Sequence, residues 1–592
     1  MPSRRPLPAP RSGPHLRRAL ALLAAALSAA GAGGTPPGAT LPWRTYEAEA
    51  METDGAVLGP SIQPFQIATE ASGLECVRLD EAGQHLAFTV AAPANALVVR
   101  YCLPDAPQGG GTASSLALYV NGRRQRAIPL NSRGAWLYGR YPFSNDPAEG
   151  KPRHFFDEAR VPNLGLNAGD RVELRWERKD TAYCIVDLVD LEEVPPALSA
   201  PAGAWSIRDF GGRGDGVTDD TEALRRCVAA VAARGGIAWI PAGSYRLTGD
   251  IVLPSHVTVQ GAGMWRTTFV GDPRLYGDPA RRVRFKLKGT GIALSDFAIV
   301  GCLDYRNDQE PNDGIVGAGC ADCLIRGIWI EHTKVGLWIY NGTRLRIEGC
   351  RIRDTIADGI NLCVGTCGTI VDNCTTRGTG DDCFAIWPAA FDQGFVGPQP
   401  HPGHNLIRHC TGQLPFLANG GAIYGGDSNA IEDCAFTDIT AGCGILVSTT
   451  FPTDDPARGI DNNFSGTTTI SRCDLLRCGG CDHDWGWRGS LQICLDRRSL
   501  SGLHISGVKV IDSLSDGITV VAPGSRQGHG TLSDAEIDHC VVAWTPGADS
   551  RAHHGLWIRA DASGGLRLIG DVIPDADNES AHFELTRAPA SP

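Results

Sequence analysis

Residues 348–374 read EGCRIRDTIADGINLCVGTCGTIVDNC, and the repeat within them is the clearest indication of the fold. It holds two copies of a short polar pattern that end at Cys350 and Cys374, 24 residues apart. A pattern that returns at such a period is typical of solenoids, in which each repeat stacks on the previous one. The short apolar runs and frequent turn residues favour strands. We therefore predict that the chain winds here into successive coils of β-structure.

The same pattern recurs on both sides of this stretch, ending in cysteine or another apolar residue. Its steps are 26, 27, 24, 36, 24, 39, 35 and 32 residues, plausible lengths for single coils of which the longer carry loops. We interpret the last position as one inward slot on successive coils, about 4.8 Å apart, where free cysteine acts as a small apolar side chain. The slot residues are Phe297, Cys323, Cys350, Cys374, Cys410, Cys434, Cys473, Val508 and Cys540.

The chain has 20 cysteines, and the slot predicts core packing first and disulfides second for those in the ladder. Two further spacings, Cys320-x-x-Cys323 and Cys478-x-x-Cys481, are compatible with zinc. Because no clear set of four ligands accompanies them, they favour loop disulfides in an exported protein.

The chain before the repeats has another pattern. Residues 41–196 alternate apolar and polar positions between turn signals, which predicts a β-sandwich domain. Residues 197–204 follow a Pro-Pro pair and indicate a linker. The coiled domain is predicted for residues 205–582.

Residues 1–40 indicate an export signal and a flexible segment. Four arginines precede an apolar run at residues 19–30, which is too short for a stable membrane span. A twin-arginine signal at Ser3-Arg4-Arg5-Pro6-Leu7 and an ordinary secretory signal both stay open. No later segment could cross a bilayer, so we expect a secreted monomer with no membrane partner. The net charge of -12 disfavours nucleic acid as a partner and weakly disfavours polyanionic substrates.

Residues 206–263 give a second, independent indication of the fold. SIRDFGGRGDG at 206–216 leads into a predicted helix at 221–233, followed by VTVQGAG at 257–263. This run resembles the entry to β-helices of the pectate-lyase-like superfamily, in which a helix covers the open end. The resemblance implies an all-β fold class: a right-handed single-stranded parallel β-helix preceded by a β-sandwich. A glycine-rich nucleotide loop at 211–216 is disfavoured because it lacks a preceding strand and the required glycine spacing.

Three aspartates are the candidate catalytic residues. Asp358 and Asp382 each lie 8 residues after a slot cysteine, so they should stack on adjacent coils with Asp381 beside them. Mutual repulsion of carboxylates costs stability, so a structural role alone does not explain the cluster. Asp-Gly-Ile recurs at Asp313 and Asp516, where we interpret it as a coil corner. The adjacent aspartate pair in register with Asp358 is therefore the observation that predicts a site.

The segments around these residues resemble glycoside hydrolase family 87, the α-1,3-glucanases and mycodextranases. The resemblance implies hydrolysis of α-1,3-glucan or nigeran with inversion, three catalytic aspartates at Asp358, Asp381 and Asp382, and no cofactor for catalysis. Cys383-Phe384 departs mildly from the family pattern of glycine and an apolar residue. The matching segments are 357–361, 379–382, 385–387 and 418–426.

If the enzyme inverts, general acid–base chemistry suggests a role for each of the three aspartates. An inverting enzyme holds its acid and base roughly 6.5–9.5 Å apart to leave room for water. Stacked Asp358 and Asp382 would lie closer, which suits joint orientation and deprotonation of one water. Asp381 is then the general acid, with its pKa raised by its two neighbours.

Several side chains near these segments are candidates for binding sugar. Trp387 and Tyr424 follow the catalytic segments, and sugar rings stack on aromatic faces. Asn361 and Asn419 are candidates for hydrogen bonds to sugar hydroxyls. Packing between coils is the alternative for all four. Further aromatic candidates are Trp338, Trp485 and Trp487.

The two ends of the predicted sandwich, WRTYEAEA at 43–50 and IVDLVDL at 185–191, resemble carbohydrate-binding modules of families 6 and 35. The resemblance implies weak glycan binding or support of the coiled domain. It also implies a structural calcium held by Glu47, Glu49 and Asp187, since oxygen ligands suit calcium. Ordinary exposed strand acids are the alternative.

Three rival functions remain. A polygalacturonase of family 28 would use Gly-His-Gly about one coil after the aspartates and an Arg-x-Lys pair, whereas residues 528–530 lie 147 residues past Asp381 and no such pair follows. A pectate lyase would need a calcium cradle and a basic residue near Asp381. A glycan-binding β-helix without activity would not need the aspartate cluster.

Overall fold

The computed structural model describes residues 36–397, 402–482, 486–523 and 530–588. Residues 1–35 of the predicted export segment, and Trp485, lie outside the described residues. β-Strands are the main regular structure of the described chain, and many of them lie in long parallel sheets. No described helix is both long and apolar enough to span a membrane.

Residues 43–192 form two antiparallel sheets that share one apolar core. Strand Arg171–Arg175 shows why: Val172 and Leu174 are buried and their polar neighbours are not, as in a sheet with one covered face. The first sheet consists of Asp157–Val161, Ala96–Cys102, Cys184–Glu192, Cys76–Leu79, Ala56–Leu58 and Trp43–Glu47. The second consists of Glu52–Thr53, His85–Thr89, Arg171–Arg175, Ala113–Val120 and Arg123–Asn131.

From residue 205 onward most coils contribute three strands, and each strand pairs in parallel with the same strand of the next coil. We call the three series the first, second and third ladders. The first ladder is Trp205–Ser206, Ile237–Ile240, Thr258–Gly261, Ala293–Val300, Leu324–Glu331, Arg346–Glu348, Ile370–Asp372, Leu406–Arg408, Ala430–Glu432, Thr468–Ser471, Leu500–Ser506, Leu532–Asp538, Gly564–Ile569 and Phe583–Ala588.

The second ladder begins with Asp215–Asp219, Gly243–Leu247 and Thr267–Gly271, shares two long strands with the first, and continues through Arg351–Arg353, Thr375–Arg377, Thr411–Gln413, Ala435–Ile439, Asp474–Cys478, Lys509–Ile511 and Val541–Ala543. The third ladder is Asp250–Leu253, Arg284–Leu287, Gly314–Ala318, Leu337–Tyr340, Ile360–Cys363, Phe384–Trp387, Gly421–Ile423, Ile445–Ser448, Leu491–Cys494, Ile518–Val521, Leu556–Ile558 and Ala576–Asn578.

Short hairpins and 3-10 turns lie between these elements. The hairpin strands pair as Leu137–Tyr138 with Pro152–Arg153, Phe391–Asp392 with Phe395–Val396, Asp454–Asp455 with Ile460–Asp461, and Cys481–Asp482 with Gly486–Trp487. The 3-10 helices are Ala48–Ala50, Ile67–Glu70, Ser72–Leu74, Pro147–Glu149, Ile207–Phe210, Pro279–Arg281 and Pro456–Arg458.

The helix predicted at 221–233 is confirmed and spans Thr221–Arg234. It ends at Gly235, whose φ of 78° lies in the left-handed region that favours glycine. One face packs into the core of the first coils because its apolar residues recur at helical spacing. That face consists of Leu224, Cys227, Val228 and Val231.

The inward slot is confirmed as a line of core positions. The slot residues are at most 2% exposed and belong to one core that runs through the coils. Cys350 and Cys374 are neighbours, since the Cys350 amide donates to Cys374 Sγ at 3.4 Å. The favoured loop disulfides do not form, because Cys320, Cys323 and Cys478 are free thiols. Burial among apolar side chains, rather than cross-linking, explains the ladder.

Buried ion pairs hold the N-terminal sheets against the second ladder. Arg377 donates to Glu158 at 2.5 Å and to Asp190 at 2.7 Å. Arg351 donates twice to Glu192, at 2.7 and 2.8 Å. These five side chains are at most 9% exposed. Since water cannot replace a lost partner there, each charge depends on the opposite surface.

We therefore expect Arg377→Ala to lower the free energy of unfolding by about 3–5 kcal/mol, because two buried carboxylates lose their main cation. Glu158 then keeps Arg353, at 3.7 Å, and Asp190 keeps the Thr45 hydroxyl, at 2.6 Å. Denaturant unfolding measures the change. The matched control is Arg344→Ala, which removes an exposed pair with Asp322 at 2.8 Å and should cost about 1 kcal/mol or less. Equal losses in the two variants would contradict the docking role.

Candidate active site

Two of the three aspartates stack at the start of consecutive strands of the third ladder. Ile360 pairs with Phe384, so Asp358 and Asp382, two residues before each, occupy the same position on adjacent coils. The Gly359 amide donates to the Asp382 carbonyl at 2.9 Å, in keeping with that register. Asp381 lies beside them, and one carboxylate oxygen from each aspartate lies within 4.8 Å of the others.

The stacked carboxyls are held by hydrogen bonds from the same coil, for Asp358, and from the next coil, for Asp382. Asp382 Oδ1 accepts from the amide and Nδ2 of Asn419 at 3.0 and 2.7 Å, and Oδ2 accepts from the Tyr424 hydroxyl at 2.8 Å. Asp358 Oδ1 accepts from Asn361 Nδ2 at 3.1 Å. Asp358 and Asp382 are 5% and 3% exposed, whereas the Asp381 side chain is 24% exposed. Asp381 is therefore the carboxyl that solvent and substrate reach most readily.

Burial and crowding set the protonation of the stacked pair. Burial, followed by the charges of Asp381 and Asp382, raises the pKa of Asp358 well above its usual range. Burial and then Asp381 raise the pKa of Asp382 to about 7, against the lowering effect of its hydrogen bonds from Tyr424 and Asn419. Because Asp358 and Asp382 lie on adjacent coils and interact strongly, these two carboxyls titrate as a coupled pair.

An arginine completes the charge balance of the site. Arg306 donates from Nη2 to Asp381 Oδ2 at 2.6 Å, from Nη1 to the Gly380 carbonyl at 2.7 Å, and from Nε to Asp308 at 2.9 Å. Its guanidinium lies 4.7 Å from the ring of Tyr141, a residue of the N-terminal part of the chain. Arg306 lies 75 residues before Asp381 in a loop without periodicity, so no sequence signal indicated it.

The aspartates open into a cavity of about 180 Å³. Of the predicted sugar-binding residues, Trp387, Tyr424 and Asn361 line it, as does Trp338. Asn419 does not; its Nδ2 holds Asp382 and its Oδ1 accepts from the Cys443 amide at 2.9 Å. Trp487 lines a separate cavity. Lining residues missed by sequence reasoning include Tyr141, Arg306, Asp308, Asn312, Lys334, Asp392 and Phe451.

Of the three predicted calcium ligands, Glu47 and Glu49 have carboxylate oxygens that could bind a cation. Glu47 Oε2 and Glu49 Oε2 are buried without hydrogen-bond partners among the described residues. Burial, the charge of Asp187 and the charge of Glu49 raise the pKa of Glu47 to about 8, and burial raises that of Glu49 to about 7. Asp187 instead accepts from Arg100 at 2.5 Å and from the Ser72 amide at 2.9 Å. The carboxylate of Asp187 is thus already ion-paired with Arg100.

Metal-ligand spacing occurs elsewhere in the described residues. Two groups of three potential ligands have atoms within 4.8 Å of one another: the catalytic aspartates, and Asp157 with His332 and Asp354. Asp157 Oδ1 and His332 Nε2 in the second group lie 2.8 Å apart as an ion pair between the N-terminal sheets and the coils. Glu47, Glu49 and Asp187 do not form such a group.

Two family models and a solved structure match one family. Residues 40–194 match the model of α-1,3-glucanase catalytic domain D1, and residues 220–522 match that of domain D2. The chain is 29% identical to the catalytic unit of a thermostable family GH87 α-1,3-glucanase from Streptomyces thermodiastaticus, with a TM-score of 0.78 over 94% of this chain and 97% of the other. It has the fold of the Agl-KA catalytic domain, with a TM-score of 0.82 over 94% of this chain and 100% of that chain, at 23% identity.

Similarity to curated relatives is partial. The chain is 39% identical to alginate lyase 7 of Azotobacter vinelandii over 170 residues, which is 26% of this chain and 19% of that protein. It is 42% identical to mannuronan C5-epimerase AlgE5 of the same organism over 71 residues, 11% of this chain and 7% of the other. The chain thus spans less than a fifth of the length of either relative.

Proposed function

The chain belongs to glycoside hydrolase family 87, and on this premise we propose that it hydrolyses α-1,3-glucosidic bonds in α-glucan, either α-1,3-glucan or nigeran. The observation that carries the proposal is the cluster of Asp358, Asp381 and Asp382 at the mouth of an aromatic cavity on the third ladder. A solved family GH87 α-1,3-glucanase catalytic domain is in complex with nigerose. The enzyme needs no cofactor for catalysis.

Within the site, Asp381 acts as general acid toward the glycosidic oxygen. It is the most exposed of the three, and Arg306 fixes its orientation through Oδ2. Asp358 and Asp382 are too enclosed to meet the sugar directly, so they share a water and accept its proton. Asn361, Asn419 and Tyr424 hold these two carboxyls, while Trp387 offers its ring to the sugar.

We further propose inversion of the anomeric centre. One carboxylate oxygen from each of the three aspartates lies within 4.8 Å of the others. The two catalytic carboxyls of a retaining enzyme are about 5–5.5 Å apart and those of an inverting enzyme roughly 6.5–9.5 Å apart, so distance alone would favour retention. The role in holding water is supported by burial: Asp382 is 3% exposed, and its two oxygens accept three hydrogen bonds that fix the carboxyl in place. Proton NMR of the first product should show β-configured reducing ends; α-configured ends would refute the shared water.

A polysaccharide panel tests the substrate. Reducing ends should appear with α-1,3-glucan or nigeran, and not with dextran, xylan or polygalacturonate. Arg306 is already paired with carboxylates of the chain, so it does not offer a free cation to a uronate. Activity on polygalacturonate alone would favour the family 28 mechanism instead. Binding without hydrolysis would favour a non-catalytic glycan-binding protein.

The architecture that best fits the ladders is a right-handed single-stranded parallel β-helix at 205–582, with a β-sandwich at 41–196 that buttresses it. The buried arginine pairs and the approach of Tyr141 to Arg306 support the buttress role. A secreted, monomeric protein suits a polymeric substrate that cannot enter cells. Weak glycan binding by the sandwich is compatible with the same arrangement.

We propose that a structural calcium binds Glu47 and Glu49, with Asp187 held by Arg100 outside the ligand set. Both glutamates have a raised pKa in the folded protein, so the metal-free fold is most stable below the unfolded value of about 4.3 and loses stability as pH rises through about 7–8. Calcium should therefore raise Tm at pH 8 and have little effect at pH 4.

Calcium titration with thermal unfolding measures this, and Glu49→Gln should abolish the response while raising Tm of the metal-free protein at pH 8. Glu52→Gln is the matched control, since Glu52 is exposed and paired with Arg171 at 2.8 Å. A calcium response that survives Glu49→Gln would place the ion elsewhere.

A further inference from the structure

A second cavity opens on the third ladder, on coils that follow the active site, and the mechanism above does not use it. Its volume is about 530 Å³, larger than the catalytic cavity. Its lining combines aromatic rings with hydrogen-bonding side chains. The residues that matter here are Trp487, Gln492, Thr519 and Trp557.

Strand register places the two cavities on one face. Inward positions such as Leu362 and Ile493 alternate with outward ones, so the outward residues form a continuous row along the ladder. In register order the row is Trp338, Asn361, Ala385, Ala422, Leu446, Gln492, Thr519 and Trp557. Its first two members line the catalytic cavity and its last three line the second.

The spacing suits a polymer. Four strand steps of about 4.8 Å separate Asn361 from Gln492, so roughly 20 Å lies between these points of the two cavities. Between them the row carries Leu446 and two buried alanines, which pack with Trp387 and Tyr424. Thr450 lines the second cavity and the adjacent Phe451 lines the first, so one loop borders both.

Two buried donors in the second cavity lack acceptors. Gln492 is 3% exposed; its Oε1 accepts from the Thr519 hydroxyl at 3.1 Å, but its Nε2 has no hydrogen-bond partner among the described residues. Trp557 Nε1 is likewise buried without a partner in that part of the chain. A buried donor left unpaired costs about 1–3 kcal/mol, so an acceptor from a ligand would be favourable.

We propose that the second cavity is a distal subsite, which binds glucose residues of the same α-glucan chain several units away from the bond being cleaved. The inference rests on the proposed function. Sugar hydroxyls supply acceptors for Gln492 and Trp557, and the aromatic lining offers apolar contact to sugar CH groups. Of the charged lining residues, Arg559 pairs with Asp561 at 3.0 Å, and the Arg551 guanidinium lies 4.8 Å from the centre of the Trp487 ring.

Chain length separates the two cavities experimentally. An aryl glycoside of nigerose reaches only the catalytic cavity, whereas a long α-1,3-linked gluco-oligosaccharide reaches both. For the long substrate, Trp557→Ala should raise KM about 3- to 10-fold, the worth of one lost aromatic contact, with kcat unchanged. Kinetics on the short substrate should stay as in wild type. Trp557→Phe keeps an aromatic ring but lacks the Nε1 donor, so it should restore only part of the loss. Val572→Ala, at a 64% exposed position lining neither cavity, should have no effect.

Either unchanged KM on the long substrate or equal losses on both substrates would overturn the subsite. Failure of the proposed function looks different: wild type would hydrolyse no α-1,3-glucan at all. In that case, calorimetric titration of wild type and of Trp557→Ala with the same long oligosaccharide tests the subsite by binding alone. Binding weakened by Trp557→Ala supports the subsite, and binding indifferent to that change overturns it.

Discussion

Asp381→Asn should lower kcat on α-1,3-glucan by about 10²–10⁴-fold, the usual worth of general acid–base assistance. Asparagine keeps the size of the side chain but cannot give a proton to the leaving oxygen. The fold should persist, because Arg306 retains its hydrogen bonds to Asp308 and Gly380. Initial rates by reducing-end detection, with Tm measured alongside, check the prediction.

The matched control is Asp322→Asn. Asp322 is another arginine-paired aspartate, at 2.8 Å from Arg344, and is exposed outside the lining of the catalytic cavity. It should leave kcat unchanged. An aryl glycoside with a good leaving group needs less protonation, so Asp381→Asn should recover more activity on it than Asp358→Asn or Asp382→Asn. Equal recovery in all three would show that the acid lies elsewhere, and near-normal rates of Asp381→Asn on glucan would refute the site.

Asp358→Asn and Asp382→Asn should each lower kcat by about 10²–10⁴-fold, because the shared water loses one of its two holders. The double variant should lose little more than either single one, since residues that act as a unit are far from additive. Kinetics of the three variants test this. Multiplied losses in the double variant would mean that the two carboxyls serve separate steps.

Tyr424→Phe should affect kcat much less than the aspartate variants do. It removes the hydroxyl that donates to Asp382 Oδ2 at 2.8 Å, and that bond lowers the pKa of Asp382. Its loss should raise this pKa further, and the base must be ionised to work. The acidic limb of the pH–rate profile should therefore move to higher pH, with kcat at the plateau nearly retained. A shift to lower pH would contradict the role of Asp382 as base.

The sequence by itself determined the coils, the apolar slot and the stacking of Asp358 on Asp382. Parallel ladders repeat one residue position per coil, so a fixed step along the chain becomes a fixed neighbour in space. The 24-residue step that joins Cys350 to Cys374 also joins the two aspartates. The capping helix likewise followed from local pattern, and its observed bounds differ from the prediction by a single residue.

Only the tertiary structure decided the partners of those residues. Arg306 reaches Asp381 from a loop 75 residues earlier, Tyr141 arrives from the N-terminal sheets, and Arg100 takes the carboxylate expected to bind calcium. These contacts follow no period, because loops and docked sheets are placed by packing and charge pairing rather than by strand register. Burial also depends on what covers a residue, so the protonation of Asp358 and Asp382 emerges only once the coils and sheets are assembled.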